Sequence, residues 1–225
     1  MCGRKTLTKD KTEIIKDLFI EEWTDSFNWE PSYNIAPTHI TPILAFDSKR
    51  KITPMRWGIV PSWSKDGKIG NRMINARVET LTEKPLFGNL LRSNRCIVVS
   101  DGYYEWQSSI ARKQPYYIYH QNHELICIAA LWDTWIDNDS KVWNTYTVIT
   151  TQPADAIRHI HNRMPLILHK NDIESWLNSD LPYQELQGCL QSYNNPLTYH
   201  PVSTMVNSPV NNSKDCIQPI VLEGK

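Results

Sequence analysis

Between residues 43 and 150 the chain carries six short runs rich in Ile, Val, Tyr and Trp, and this pattern restricts the fold more than any other feature. The runs are Ile43–Phe46, Thr53–Ile59, Arg95–Val99, Tyr116–His120, Leu125–Trp132 and Thr145–Thr150, each predicted as a strand. Turn-forming clusters such as Ser64-Lys65-Asp66-Gly67 and Asp137-Asn138-Asp139-Ser140 separate them. Residues 9–22 read as a short amphipathic helix, because Ile14, Ile15, Leu18 and Phe19 recur at helical spacing among charged residues. Pro31, Pro37 and Pro42 then punctuate a loop around Tyr33–Pro37. Further helices are predicted at 153–160, 171–178 and 182–193, and a last strand at Leu197–Val202. Helices inserted this irregularly do not fit a doubly wound parallel sheet. The pattern predicts an α+β fold: a single domain with a strongly curved or barrel-like, mainly antiparallel sheet and flanking helices. With 225 residues, 40% of them apolar and nine of them Trp, the chain can bury a substantial core. No linker divides it, so the expected domain spans 1–225, with its core at about 2–210 and a C-terminal tail beyond.

Charge and cysteine usage narrow the functional classes. Lys and Arg number 24 and so do Asp and Glu, so the net charge of zero excludes binding to nucleic acid through bulk positive charge alone. The charge is unevenly spread: Lys49 to Lys113 holds 13 basic and 5 acidic residues, a net of +8, which suggests one basic face. No apolar run is long enough to span a membrane, and Met1–Thr6 lacks the apolar stretch of a signal peptide. The expectation is a cytoplasmic protein, nucleoid-associated in a bacterial host. Five scattered cysteines, Cys2, Cys96, Cys127, Cys189 and Cys216, argue against a disulfide framework, and none forms a Cys-x-x-Cys pair for zinc. Cys96 and Cys127 sit in apolar runs and read as packing residues.

Cys2 stands apart. Removal of Met1 would leave an α-amine and a thiol on adjacent carbons. Such a 1,2-aminothiol can condense with an aldehyde, the amine forming a Schiff base and the thiol closing a thiazolidine ring. Alternatively the thiol attacks an acyl carbon with the amine as base. Gly3 permits close approach of a ligand and Arg4 supplies a fork for a phosphate. Four later segments combine functional side chains with strand or turn context. Trp57-Gly58-Ile59-Val60-Pro61-Ser62-Trp63 sets two Trp around a turn, though both also suit a core. Asn75-Ala76-Arg77 places an amide and a guanidinium on one face of an extended segment. Asp101-Gly102-Tyr103-Tyr104-Glu105-Trp106 ends in a carboxylate between aromatics, whose pKa burial would raise. His159-Ile160-His161-Asn162-Arg163 pairs imidazole with guanidinium; without further ligands it does not make a metal site.

In order along the chain, Met-Cys-Gly-Arg, Trp-Gly-x-x-Pro-x-Trp, Asn-Ala-Arg-x-Glu-Thr, Cys-x-x-x-x-Asp-Gly-x-Tyr-Glu-Trp and His-x-Arg-Met-Pro resemble the SRAP family, the SOS-response-associated peptidases or abasic-site-processing proteins. The resemblance runs from Met1 to about residue 210. It implies recognition of abasic sites in single-stranded DNA, including junctions with duplex, and a covalent thiazolidine between Cys2 and the opened sugar. It further implies that Asn75 orients the amine or the sugar, that Glu105 is the acid/base, and that His161 stabilises the opened sugar. Arg4, Arg77 and Arg163 would hold phosphates, while Pro37 and Trp63 would pack on flanking bases. Neither cofactor nor metal is implied, and a monomer is expected. Lys5 and the polar stretch Lys65–Met73 depart from the family pattern. Two other readings compete: an N-terminal cysteine peptidase, self-processing or acting on other proteins, and a non-catalytic binder of DNA junctions.

Overall fold

The computed structural model describes residues 2–46, 48–108, 113–190 and 196–222. Among them the strands are β1 (Lys5–Leu7), β2 (Glu22–Trp23), β3 (Ser32–Ile35), β4 (Ile40–Phe46), β5 (Arg50–Trp57), β6 (Asn75–Arg77), β7 (Arg95–Ser100), β8 (Gly102–Ser108), β9 (Lys113–His120), β10 (Ile126–Ile136), β11 (Val142–Thr151), β12 (Met164–Pro165) and β13 (Leu197–Pro201). The helices are α1 (Lys11–Leu18), α2 (Pro85–Ser93) and α3 (Ile173–Leu177), with several short 3-10 turns.

Strand β7 is buried at every position, which explains why Cys-Ile-Val-Val runs unbroken instead of alternating with polar residues. It lies in the wall of a closed barrel. Antiparallel pairing links β11 to β10, β10 to β7, β7 to β4 and β4 to β5. The ring closes where β5 meets β11 in parallel, with Thr145 opposite Arg56 and Tyr146 opposite Trp57. Strand β6 adds to β11 and β2 to β5, both in parallel. The expected curved sheet is therefore a mixed five-stranded barrel with extra strands, in a single α+β domain.

A second sheet, wholly antiparallel, runs β13-β9-β8-β1-β3. One of its faces contributes Tyr103, Tyr116 and Ile118 to the main core. The other packs Tyr104 and Tyr117 against Val202, Val206 and Cys216. The segment beyond residue 210, read from sequence as a tail, thus covers a sheet face. It is clasped by Asn34, whose buried amide donates to the carbonyl oxygens of Val206, Ser208 and Asn211. Helix α1 is shorter than predicted. Asp10 and Glu13 cap its start reciprocally, and the chain leaves it at Phe19 in the left-handed conformation. The loop predicted around Tyr33–Pro37 is partly strand, and the predicted helices at 153–160 and 182–193 reduce to 3-10 turns in their described parts. Each is too short for its local pattern to stand above the flanking loop residues. Among the described residues, no helix is long and apolar enough to cross a membrane.

Part of the basic block between Lys49 and Lys113 is tied up within the fold. Lys49 and Lys51 pair with Glu22, and Arg50 with Glu174. Arg95 is buried and donates to the carbonyl oxygens of Leu91, Trp176 and Asn178. These four cations are committed to the fold.

The loop between β5 and β6 is anchored at Gly58, which has φ of 109°. A Cβ there would stand 2.3 Å from the carbonyl oxygen of Gly70. Gly58→Ala is expected to lose more than about 1 kcal/mol of stability and to loosen residues 59–71. Urea denaturation and proteolysis of this loop check this; an unchanged midpoint and cleavage pattern would contradict it.

Candidate active site

The beginning of the chain is led into the seam between the two sheets. Strand β1 pairs with β8 (Lys5 opposite Tyr103, Thr6 opposite Gly102) and with β3 (Lys5 opposite Ile35). Just before it, Cys2 is fully buried within the main core. From the barrel side, the Asn75 amide on β6 donates to the Cys2 carbonyl oxygen at 2.9 Å. The Asn75 Oδ1 is itself buried and without a hydrogen-bond partner. Burial pushes the Cys2 thiol up to about 12, and the neighbouring Glu105 charge adds to the effect.

Glu105 reaches the same seam from β8 with its side chain 2% exposed. Burial raises its carboxyl to about 7. The His161 imidazole, on the loop between β11 and β12, places Nδ1 3.8 Å from Glu105 Oε2. Nδ1 also lies 3.1 Å from both the Arg163 backbone N–H and the Arg163 carbonyl oxygen, so whether it accepts or donates depends on the tautomer. Burial lowers the His161 pKa as well. The two groups are thus driven toward each other in acidity. Near neutral pH a carboxyl close to losing or gaining a proton adjoins an imidazole that burial biases toward its neutral form, a thiol and a buried amide oxygen.

The other predicted residues divide. Arg77 is exposed on β6, and Trp63 is 71% exposed at the tip of its loop. Trp57 is instead a core residue, stacked on Tyr146 and donating to the Ile74 carbonyl oxygen. Pro37 is half-buried beside Thr38, whose N–H donates to the Trp57 carbonyl oxygen. Arg4 is held by the fold: its guanidinium donates to Asn34 Oδ1 at 2.8 Å and to the Val206 and Asn207 carbonyl oxygens, over the Trp106 ring. Arg163 is 8% exposed and forms a bidentate pair with Glu79 at 2.6 and 2.9 Å while donating to the Thr150 carbonyl oxygen. Its guanidinium fixes the loop that carries His161. Among the described residues, no group of three or more His, Cys, Asp or Glu side chains is placed to hold a metal ion.

Several residues at the site escaped the sequence reading. Glu79 lies within Asn-Ala-Arg-x-Glu-Thr, so its partnership with Arg163 had a signal in the motif. His39 carries the electrostatic influence of Arg4 and Lys5. Tyr103 and Lys5 are fully buried, and a buried lysine has no signature in local sequence.

The chain matches the family model described as SOS response associated peptidase over residues 1–209. It is 40% identical to Abasic site processing protein YoqW of Bacillus subtilis over 97% of this chain and 99% of that one. It is 33% identical to Abasic site processing protein HMCES of Xenopus tropicalis over 100% of this chain and 80% of that one. Among solved structures, an X-ray structure of a protein from Bacteroides thetaiotaomicron superposes with a TM-score of 0.87 at 25% identity, covering 98% of this chain and 100% of that one. A protein from Bordetella bronchiseptica has the same fold, with a TM-score of 0.75 at 21% identity, covering 90% and 100%. Family model, relatives and fold agree over nearly the full length, and the chain belongs to the SRAP family.

Proposed function

We propose that this protein processes abasic sites in single-stranded DNA by forming a thiazolidine crosslink through Cys2, once Met1 has been removed. The observation that carries this reading is the convergence on Cys2 of Asn75, Glu105 and His161 at a seam between two sheets. The named function of the relatives, abasic site processing, supports it.

The chemistry follows the groups present. The Cys2 amine attacks the aldehyde carbon of the opened sugar, and the carbinolamine loses water as Glu105 donates a proton to the departing hydroxyl. A carboxyl raised to about 7 can donate that proton and regain it within one cycle. The amide oxygen of Asn75 accepts from the amine or from a sugar hydroxyl, which satisfies an otherwise orphaned buried acceptor. His161, held neutral by burial, accepts and returns protons at the sugar. The thiol then closes the ring. An abasic site offers no base to read, so recognition falls to phosphates and to stacking on neighbouring bases. Arg77 and Trp63 are exposed for those tasks. Arg4 and Arg163 serve them by holding the backbone around Cys2 and His161.

Three outcomes test the reading. The natural protein should give an adduct with a single-stranded oligonucleotide containing one abasic site that survives SDS, with a mass corresponding to loss of one water. Cys2→Ala should give none, and an undiminished Cys2→Ala adduct would overturn the assignment. Glu105→Gln should slow adduct formation about 10²–10⁴-fold. Because the Glu105 carboxyl is protonated below about 7 and ionised above it, the natural rate should lose its acid-assisted part as pH rises through that value. Rates measured from pH 5 to 9 check whether this limb is present in the natural protein and missing from Glu105→Gln. Trp63→Ala should weaken non-covalent binding to single-stranded DNA by about 1–3 kcal/mol, read by fluorescence anisotropy; an unchanged Kd contradicts the stacking role.

A further inference from the structure

Apart from the seam at Cys2, a cavity of about 320 Å³ opens between the β10–β11 hairpin and the loop that joins β5 to β6. Beyond Leu131, where pairing with β7 ends, β10 continues as an arm paired with β11 alone. Arg56, Gly67, Asn71, Trp135, Trp143 and Thr145 line the cavity, and none has a role in the chemistry proposed for Cys2. The volume is at the low end for a small-molecule site, enough for one planar heterocycle and too small for a duplex.

Two indoles form its aromatic part, and they are cross-strand partners, Trp135 opposite Trp143. The Trp135 Nε1–H donates to the Ser64 carbonyl oxygen at 2.7 Å and the Trp143 Nε1–H to Asp137 Oδ2 at 2.9 Å. Both ring nitrogens are thus satisfied, and the cavity is left with apolar ring surface. Arg56 supplies the polar part. A guanidinium has five N–H donors, and among the described residues the one side-chain hydrogen bond of Arg56 goes to Asn71 Oδ1 at 3.3 Å. An anion inside the cavity would meet the carboxylates of Asp66 and Asp137, each fixed at the wall by hydrogen bonds. A neutral ring with acceptors at its edge would not be repelled. The Lys68 side chain, 87% exposed at the rim, is placed to meet a phosphate outside. An aromatic platform beside a guanidinium is how proteins hold single-stranded bases irrespective of sequence.

The cavity adjoins Trp63. The Ser62 N–H donates to Asp133 Oδ2 at 3.0 Å and the Ser64 carbonyl oxygen accepts from Trp135, so the exposed Trp63 is tied on both sides to the arm that forms the cavity wall. Along β11, Thr145 is opposite Arg56 and Val148 is opposite Asn75. That separation is about 10 Å of strand, or about three nucleotides of a stacked single strand. We propose that the cavity binds one unpaired base of the DNA strand that carries the abasic site, about two or three nucleotides from the lesion on one side. The base lies against the Trp143 ring, and Arg56 donates to its edge. The proposal rests on the single-strand reading above.

The test uses the full-length protein and single-stranded oligonucleotides with a tetrahydrofuran abasic analogue, which has no aldehyde and cannot crosslink. One strand keeps all its other bases. Two more lack the second to fourth bases on one flank or the other while keeping the phosphates. By fluorescence anisotropy the natural protein should bind one of the stripped strands about 5- to 100-fold more weakly than the full strand, the range for loss of one base–aromatic stack. Trp143→Ala and Arg56→Gln should weaken binding of the full strand and leave binding of that stripped strand unchanged. Equal losses on both strands, the mark of a merely structural residue, overturn the proposal. The natural protein supplies a second measurement that needs no variant: 5-iodouracil is placed at each of the same flank positions and irradiated. Crosslinks to Trp135 or Trp143 support the proposal, and crosslinks confined to other residues overturn it. If the natural protein binds none of the strands, the single-strand reading itself falls; if it binds full and stripped strands equally, only the cavity assignment falls.

Discussion

Three residues of backbone, Lys5–Leu7, tie the segment that carries Cys2 to the rest of the molecule. As β1 they pair with β8 on one side and β3 on the other, so Cys2 enters the seam between the barrel and the second sheet. Chain termini usually fray. Here Lys5–Leu7 form an interior strand of a sheet, and Arg4 adds a clasp to Asn34 and to the carbonyl oxygens of Val206 and Asn207. Asn34 in turn holds the segment up to Asn211 that covers the outer face of the second sheet. Placement of Cys2 is thus inseparable from closure of the C-terminal segment over Tyr104 and Tyr117.

Burial at this seam acts on every titratable group in the same sense, toward neutrality. The Cys2 thiol and the Glu105 carboxyl are raised, and the Lys5 amine and the His161 imidazole are lowered. A pocket of low polarity disfavours each charged form. The result is a site in which the Glu105 carboxyl titrates near neutral pH while the Cys2 thiol stays protonated and the His161 ring is biased toward its neutral form. Charge that the protein needs for rigidity is kept elsewhere, in the Arg163–Glu79 fork and the Lys49–Glu22–Lys51 cluster.

Some of this was legible in the linear chain because it depends on local chemistry. A thiol at position 2, a carboxylate between aromatics at 105, and an imidazole two residues before Arg163 announce reactive types wherever they fold. The runs of β7, β10 and β11 were readable because each is rich in β-branched, aromatic or other apolar residues over at least five positions. Strands β1, β3 and β6 were not, being three or four residues long and dependent on partners distant in sequence. Trp57 and Trp63 looked alike in the motif and part completely, one stacked in the core and the other exposed.

By itself, then, the sequence determined the chemical inventory, the α+β class and the ordered motifs that mark the family. Only the tertiary structure decided which cations are spent on the fold, that β5 and β11 close the barrel in parallel, and that Lys5 is buried against the Val99 carbonyl oxygen. The physical reason is common to all three. Burial and partnership depend on which backbone segments meet across the two sheets, and a contact between residues 2 and 75 or 4 and 206 leaves no trace in the residues adjacent to either one.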